Sequence, residues 1–314
     1  MAFFIFRRCV GFVLTLLAVS VVVFAVMNIL PGDPALTILG LDASEDALAA
    51  LRAQLGLNDP APVRYVSWIV NAVQGDLGRS HSFGVPVFGL IGERLGMTVA
   101  LAVSGMVVTV ALALVMGIGA ASNHRRFGDW GVMFLSQIGI AMPAFWLSIL
   151  LVLLFAVKLR WLPPGGFPGW DDPVAAIRAL ILPTVALALV QSAVLARVTR
   201  SSALEVMRLD YVRTARASGF SRQRVLWRHV LPNALAPIVT IVGMQFASVV
   251  TGAIVIENVF YLPGLGRLIF QSIANRDLPT VQALVMMFAA IVVAANFIVD
   301  ILYALIDPRL KGRM

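Results

Sequence analysis

Charged residues are scarce in this chain. Asp, Glu, Lys and Arg make up only 13% of its 314 residues, while 60% are hydrophobic. Soluble domains have about 25% charged and about 45–50% apolar residues. The composition therefore excludes an ordinary soluble domain and indicates an integral membrane protein. Cysteine is scarcer still, because Cys9 is the only one, and this excludes an internal disulfide.

The residues that enzymes and metal sites use are also sparse. The only two lysines, Lys158 and Lys311, lie in no G-x-x-x-x-G-K-[ST] loop, which excludes a phosphate loop for ATP. His81, His124 and His229 lie in separate regions, so no metal-ligand spacing occurs. No Ser has the His and Asp partners of a hydrolase. The sequence predicts no catalytic residue, no metal site and no cofactor in this chain.

Long apolar runs are what the chain has instead. A membrane-crossing helix needs about 20 mostly apolar residues, and the first run is too long for the core of a signal peptide. Pro143 and Pro183 are expected to break helices in or near spans. Six segments are predicted to cross the membrane: 9–30, 97–121, 130–157, 179–196, 236–256 and 281–306.

The basic residues predict how these spans are oriented. With the N-terminus inside, the inner segments hold 15 Lys and Arg residues and the outer segments nine, and cytoplasmic loops are the ones enriched in Lys and Arg. We therefore expect an all-α, polytopic membrane protein with six transmembrane helices, both termini cytoplasmic and a long first periplasmic loop. The net charge of +8 would also suit nucleic acid, but the arginines cluster in loops beside the membrane.

Four regions follow from this topology. The long outer loop is predicted to hold two helices, one capped by Ser44 and stopped by Gly56, and one over 62–73. The regions are the N-terminus with the first transmembrane helix (1–30), a periplasmic loop subdomain (31–96), a five-helix transmembrane core (97–306) with a cytoplasmic loop at 200–235, and a cytoplasmic tail (307–314).

The polar cytoplasmic segment 207–237 predicts two short helices joined by a hinge. Residues 203–218 contain neither Gly nor Pro and predict the first helix. Gly219 suits the left-handed residue after a helix, Ser221 suits the N-cap of the second, and Pro232 is expected to end it. Small residues beside apolar anchors suit a helix that docks in a groove; the alternative is a loop that is basic only because cytoplasmic loops are.

The spacing of this segment resembles the EAA loop of bacterial ABC (ATP-binding cassette) importer permeases. That loop reads Glu-Ala-Ala, three residues, Gly, nine residues and Ile-x-Leu-Pro. Arg213 replaces the Glu, a departure that resembles the dipeptide, oligopeptide and nickel branch, whose loop often reads DYVRTARAxG, as 210–219 does. The matching residues are Ala215, Gly219, Leu231 and Pro232.

Further motifs along the whole chain resemble the same family. The long first outer loop resembles the B-type subunit of its usual pair of permeases. The motifs are Pro31-Gly32-Asp33-Pro34, Gly75-Asp76-Leu77-Gly78-x-Ser80, Pro143-x-Phe145-Trp146, Glu257-Asn258-Val259-Phe260, Pro263-Gly264-Leu265-Gly266 and Asp307-Pro308-Arg309.

The resemblance implies a permease subunit in the bacterial cytoplasmic (inner) membrane that forms half of a pathway for peptides or similar small solutes. It implies a second homologous permease, two ATPase subunits that bind the ATP and Mg, and a periplasmic or lipid-anchored solute-binding protein. Nickel chelates, glutathione and opine-like compounds are alternative substrates, and a secondary transporter is a remote alternative. The residues expected to couple to the ATPase are Tyr211, Arg213, Thr214, Ala215, Arg216, Ala217, Ser218, Gly219 and Phe220.

A few polar residues inside or at the ends of spans are candidates for the substrate pathway. They are Gln191, Gln245, Glu257 and Asn258, because a polar group in a span is costly unless it faces protein or water. For each Gln, an interhelical hydrogen bond is the favoured alternative. For Glu257, the alternative is an ion pair with an arginine that shapes the adjoining loop.

Overall fold

The computed structural model forms helices and no β-strand in the residues that it describes, which are 2–29, 34–40, 43–54 and 56–306. In chain order the helices are α1 (Ala2–Ile29), α2 (Pro34–Leu39), α3 (Glu45–Gln54), α4 (Ala61–Val73), α5 (Val87–Ser122), α6 (Phe127–Ala141), α7 (Ala144–Leu151), α8 (Pro173–Val206), α9 (Asp210–Ala217), α10 (Arg222–Val225), α11 (Leu231–Val259), α12 (Leu265–Ala274) and α13 (Leu278–Ile306).

Two of these helices continue as π-helical turns. Val152–Lys158 extends α7, and Leu226–Val230 joins α10 to α11. The predicted turn at 31–33 and the tail at 307–314 lie outside the described residues.

The chain packs into two compact units. The first takes Met1–Met97 and Pro263–Phe297, and the second takes Thr98–Leu262. In the first unit, apolar residues of α5, α12 and α13 form a buried cluster that includes Val87, Leu268 and Leu284.

The outer-loop helices largely follow the prediction. The Ser44 hydroxyl accepts a hydrogen bond from the N–H of Ala47 at 3.3 Å, and Gly56 stands after α3 with φ of 65°. The second predicted helix is α4, which begins at Ala61. The prediction of only two helices is wrong, because α2 also lies in this loop; its six residues are too short to show a hydrophobic period.

Within the described residues, five helical stretches are long and apolar enough to cross a membrane. The sixth crossing depends on α6 and α7, which are bent by 107° at the break between them. The predicted third span, 130–157, therefore contains a break. The five stretches are Phe6–Ile29, Val87–Ser122, Pro173–Val206, Arg222–Val259 and Leu278–Phe297.

Proline explains the bend between α6 and α7. Met142 has extended backbone, with ψ of 127°, and Pro143 stands as the N-cap of α7. A residue before proline avoids helical geometry, so the predicted break at Pro143 is confirmed. The prediction of a second break, at Pro183, is wrong, because Pro183 is buried inside the continuous helix α8.

Helix α8 is the centre of the second unit. It packs against α6, α7 and α11, and between Leu182 and Ala188 its buried residues lie on all sides of the helix. Glycines allow this packing: a methyl group added at Gly117 would lie 2.5 Å from Thr199 Cβ, and one at Gly252 would lie 2.8 Å from Leu187 Cδ1. The backbones of neighbouring helices therefore lie in direct contact with α8.

Candidate functional site

The predicted docking helix begins after a short break in the chain. Helix α8 ends at Val206 and α9 begins at Asp210. Between them Leu209 leaves helical geometry, with ψ of 147°, while its N–H donates to the carbonyl of Val206 at 3.1 Å. The prediction of one continuous helix over 203–218 is therefore wrong. Asp210 was the available signal, because an acidic residue favours the first turn of a helix.

The C-terminal end of α9 follows the prediction at Gly219. Gly219 has φ of 83°, and its N–H donates to the carbonyl of Arg216 at 3.0 Å. The N–H of Phe220 donates to the carbonyl of Ala215 at 3.4 Å. These two bonds form a Schellman motif, which needs a left-handed residue at this position. The predicted role of Gly219 as the terminating residue is confirmed.

The second predicted helix starts as expected and ends elsewhere. The Ser221 hydroxyl accepts a hydrogen bond from the N–H of Arg224 at 3.4 Å, which confirms the N-cap. The helix does not stop at Pro232, because α10 runs through the π-helical turn into α11. Pro232 lies just after the π-helical turn, in the first turn of α11. The π-helical turn before it moves the backbone bonds to an i→i+5 pattern.

One side of α9 is buried in the second unit. Val212 is fully buried and Ala215 is 7% exposed, and both belong to an apolar cluster with residues that include Val225, Leu226 and Val230. Residues three apart lie on the same face of a helix. Ala215, expected to contact the ATPase, therefore lies inside this chain's own core and holds α9 in place.

The other predicted coupling residues lie on the exposed side of this segment. Tyr211 and Phe220 are large apolar groups that are 43% and 38% exposed. No residue that the structure describes lies within 4 Å of a methyl group added at Gly219. We call these eight exposed residues the α9 surface: Tyr211, Arg213, Thr214, Arg216, Ala217, Ser218, Gly219 and Phe220.

Phe220 is held at the edge of the α9 surface by its neighbours. The His229 ring centroid lies 5.7 Å from that of Phe220, and the Arg224 guanidinium carbon lies 4.9 Å from the Phe220 ring centroid. Arg213 and Asp210 form an ion pair at 3.3 Å with both side chains largely exposed, so it adds little stability. The α9 surface is thus basic, rimmed by aromatic rings and open to a partner.

Arg200 of α8 and Asp129 of α6 form an ion pair that was not predicted from the sequence. Asp129, in the first turn of α6, is buried and accepts two hydrogen bonds from Arg200 of α8. The backbone N–H of Arg125 adds a third at 3.0 Å, and Nδ1 of His124 lies 3.1 Å from Oδ2. The available signal was an acidic residue at the start of an apolar run.

The structure brings together two of the four pathway candidates. Nε2 of Gln245 donates to the backbone carbonyl of Gln191 at 3.2 Å. This bond joins α11 to α8 and is the interhelical hydrogen bond that was the favoured alternative for each Gln. Glu257 is fully buried and Asn258 is exposed. These last two lie about 18 Å along α11 from Gln245, since each helical residue rises about 1.5 Å.

The described residues hold no group of three His, Cys, Asp or Glu that could bind a metal ion.

Comparison with protein families gives two matches that together span nearly the whole chain. Residues 113–312 match the binding-protein-dependent transport system inner membrane component family, and residues 1–113 match the N-terminal family of the same membrane component.

Relatives similar over nearly their full length carry transport names. A putative peptide transport system permease of Brucella abortus (strain 2308) is 43% identical, covering 98% of each chain. A dipeptide transport system permease of Alkalihalophilus pseudofirmus is 37% identical, covering 97% of this chain and 98% of the other. A glutathione transport system permease of Salmonella typhi is 40% identical, covering 98% of each.

A solved structure supports the fold. The crystal structure of an amino acid ABC transporter matches with a TM-score of 0.50 and 16% identity, covering 68% of this chain and 92% of that one. At this identity the match shows similarity of fold alone.

Proposed function

This chain belongs to the family of binding-protein-dependent transport system inner membrane components and is a permease subunit of an ABC importer, and from that premise we propose that it couples to its ATPase through the α9 surface. It is a transport component and not an enzyme. Its several apolar helices make it a multi-pass membrane protein.

The proposed topology has six crossings in the bacterial cytoplasmic membrane. The bent pair α6 and α7 forms one crossing, and both termini lie in the cytoplasm. The excess of Lys and Arg in the inner segments supports this orientation. The topology puts α9 and the short loop that ends at Arg126 on the cytoplasmic side, where the ATPase lies.

The observation that carries the coupling proposal is the two-sided character of α9. Val212 and Ala215 bury one side in the core, while the α9 surface is left exposed and has open space beside Gly219. A short helix anchored on one side and open on the other suits insertion into a groove of a partner. Because Arg213 and Arg216 are exposed, we expect carboxylates in the groove that receives them.

The core transmits the movement of the docked helix. The apolar cluster that buries α9 includes Ala203 and Val206 of α8, so a shift of α9 pulls on the end of α8. Since α8 lies in backbone contact with its neighbours, it moves them with it instead of bending alone. When ATP binding closes the two ATPase subunits, the movement is thereby converted into a rearrangement of the spans.

The complete importer contains the subunits that the family resemblance implies. It contains a second homologous permease, two ATPase subunits that hold the ATP and Mg, and a periplasmic or lipid-anchored solute-binding protein. This chain holds no cofactor and forms half of the pathway. Along that pathway Gln191 and Asn258 contact the solute, Gln245 positions Gln191, and Glu257 supports the outer end of α11.

The proposed substrates are peptides or similar small solutes. Support comes from relatives named for peptide, dipeptide and glutathione transport. Glutathione is itself a tripeptide, so a pathway that accepts short peptides suits all three names.

Uptake by the reconstituted importer tests this proposal. We expect Ala217→Trp to abolish ATP-driven uptake of a radiolabelled tripeptide, because the ring fills the space that the groove needs. The folded yield should stay unchanged, since Ala217 is exposed. Ala53→Trp, at an exposed position of α3, is the matched control and should transport normally. Normal uptake by Ala217→Trp would remove the basis of the proposal.

A further inference from the structure

The first unit contains a cavity whose lining includes none of the α9 surface residues and none of the pathway candidates. Its volume is about 310 Å³, which lies at the lower end of the range for small-molecule sites. Residues of α1, of the outer loop and of the start of α13 line it. Those that bear on its chemistry are Phe24, Asp59, Arg64, Trp68, Asp76 and His81.

Aromatic rings form one wall of this cavity. The Phe24 and Trp68 rings stack with centroids 6.2 Å apart, and Tyr65 meets Phe24 edge-on at 5.3 Å. The Tyr65 hydroxyl shares a hydrogen bond with Ser20 at 2.8 Å. These contacts fix α4 on α1, so the wall is already formed without a ligand.

Charges of both signs lie around the same cavity. The Arg64 guanidinium carbon lies 6.0 Å from the Phe24 ring centroid, and within the described residues Arg64 and Asp59 form no ion pair. Oδ1 of Asp76 accepts the N–H of Gly78 at 2.9 Å, which orients that carboxylate. A cation and carboxylates that line one cavity without pairing can each bind an opposite charge of a ligand.

A buried carboxylate holds the remaining wall in place. Asp277 is fully buried and accepts hydrogen bonds from the Ser80 hydroxyl, from the N–H of His81 at 3.0 Å and from the Thr280 hydroxyl at 2.8 Å. Nδ1 of His81 is buried and has no hydrogen-bond partner among the described residues. Burial lowers the pKa of His81 below its ordinary value, despite the opposing effect of Asp277.

We propose that this cavity binds a small zwitterion, such as a short peptide with a free ammonium group and a free carboxylate. Arg64 binds the carboxylate, since its guanidinium donates two parallel hydrogen bonds to such a group. Asp59 and Asp76 bind the ammonium group, and the Phe24 and Trp68 rings cover an apolar side chain. Under the proposed topology the site lies on the outer side. The inference rests on the proposed function for the choice of peptide.

Binding of trialanine to the purified importer in nanodiscs, without the solute-binding protein, tests the site. Calorimetry should show binding of trialanine and at least tenfold weaker binding of its C-terminal amide, because a lost hydrogen bond to a charged group costs about tenfold or more. Arg64→Gln should weaken trialanine binding by a similar factor and leave binding of the amide unchanged. Asp59→Asn should weaken trialanine binding and leave N-acetyl-trialanine unchanged.

The control is Arg52→Gln, which changes an arginine of α3 that does not line the cavity and should bind trialanine as the wild type does. Equal binding of trialanine and its amide to the wild type would overturn the proposal, and so would no binding. If Arg64→Gln instead weakens only attachment of the solute-binding protein, the cavity is a protein contact and the proposal is also wrong. Peptide uptake by the complete wild-type importer is measured in parallel: uptake without binding contradicts this site alone, and binding without uptake contradicts the proposed function.

Discussion

Arg200 holds the carboxylate of Asp129 with two hydrogen bonds, from Nε to Oδ1 at 2.5 Å and from Nη2 to Oδ2 at 2.7 Å. The pair joins the first turn of α6 to α8 within two turns of the end of α8. Asp129 is buried while Arg200 is partly exposed. This geometry is the bidentate one in which an arginine and a carboxylate bind most strongly. We infer that it keeps the end of α8, and so the start of α9, in a defined position.

Asp129→Asn should destabilise the protein. Removing one partner of a buried pair leaves the other charge uncompensated, which costs about 3–5 kcal/mol. We expect about 3 kcal/mol, because Arg200 retains contact with solvent. Thermal unfolding in detergent measures the change. Arg197→Gln, which removes an exposed hydrogen bond to Gln137, is the control and should cost under about 1 kcal/mol. Equal effects of the two changes would show that the buried pair adds no stability.

Two neighbouring glycines of α5 should respond in opposite directions to the same change. A methyl group at Gly117 would lie 2.7 Å from the carbonyl oxygen of Ala196, whereas among the described residues one at Gly119 has no neighbour within 4 Å. We expect Gly117→Ala to destabilise by about 1–3 kcal/mol through overpacking. Gly119→Ala should stabilise by up to about 1 kcal/mol through reduced chain entropy. Unfolding of both variants in the same detergent measures the difference, and a stabilised Gly117→Ala would contradict the close packing of α5 on α8.

Val212 tests whether α9 must be anchored to transmit movement. Val212→Ala removes buried methyl groups, which should cost about 1–3 kcal/mol and loosen α9 from the core. We expect the assembled importer to keep its basal ATPase rate and lose peptide-stimulated hydrolysis. Val239→Ala on α11 is the control, because Val239 is exposed, and it should keep stimulation. Full stimulation in Val212→Ala would show that the buried side of α9 has no part in coupling.

The topology is testable with single cysteines in a Cys9→Ser background. We expect a cysteine at Ala47 to react with an impermeant maleimide added to intact cells, and one at Ser218 to react only after permeabilisation. Both positions are exposed in this chain, so in cells that express it without its ATPase subunits a lack of reaction reports the membrane and not burial. Labelling of 218 in intact cells, with 47 protected, would reverse the proposed orientation.

Local chemistry made the ends of several helices predictable from the sequence. Gly219, Ser221 and Ser44 each act through their own backbone geometry or hydroxyl, so their roles as caps were predicted and are confirmed. Pro143 likewise breaks a helix through its own ring and missing N–H. Features of this kind depend on a few adjacent residues.

The predictions that were wrong concern features that depend on tertiary packing. Pro183 and Pro232 stay within continuous helical structure, because buried contacts along α8 and the π-helical turn before α11 outweigh the local tendency of proline to end a helix. The break at Leu209 and the burial of Ala215 follow from the apolar cluster around Val212. The partner of Asp129 lies 71 residues away in the chain, and no short-range pattern identifies it.

Cross-linking from the α9 surface to the ATPase tests the central claim most directly. A cysteine at Ser218 in the Cys9→Ser background, treated with a short bifunctional maleimide in the assembled importer, should join this chain to an ATPase subunit. The yield should change when ATP is added, because α9 moves with the closing ATPase. A cysteine at Ala53 should give no such product. An importer that transports peptide but forms no cross-link from 218, with or without ATP, would contradict the account.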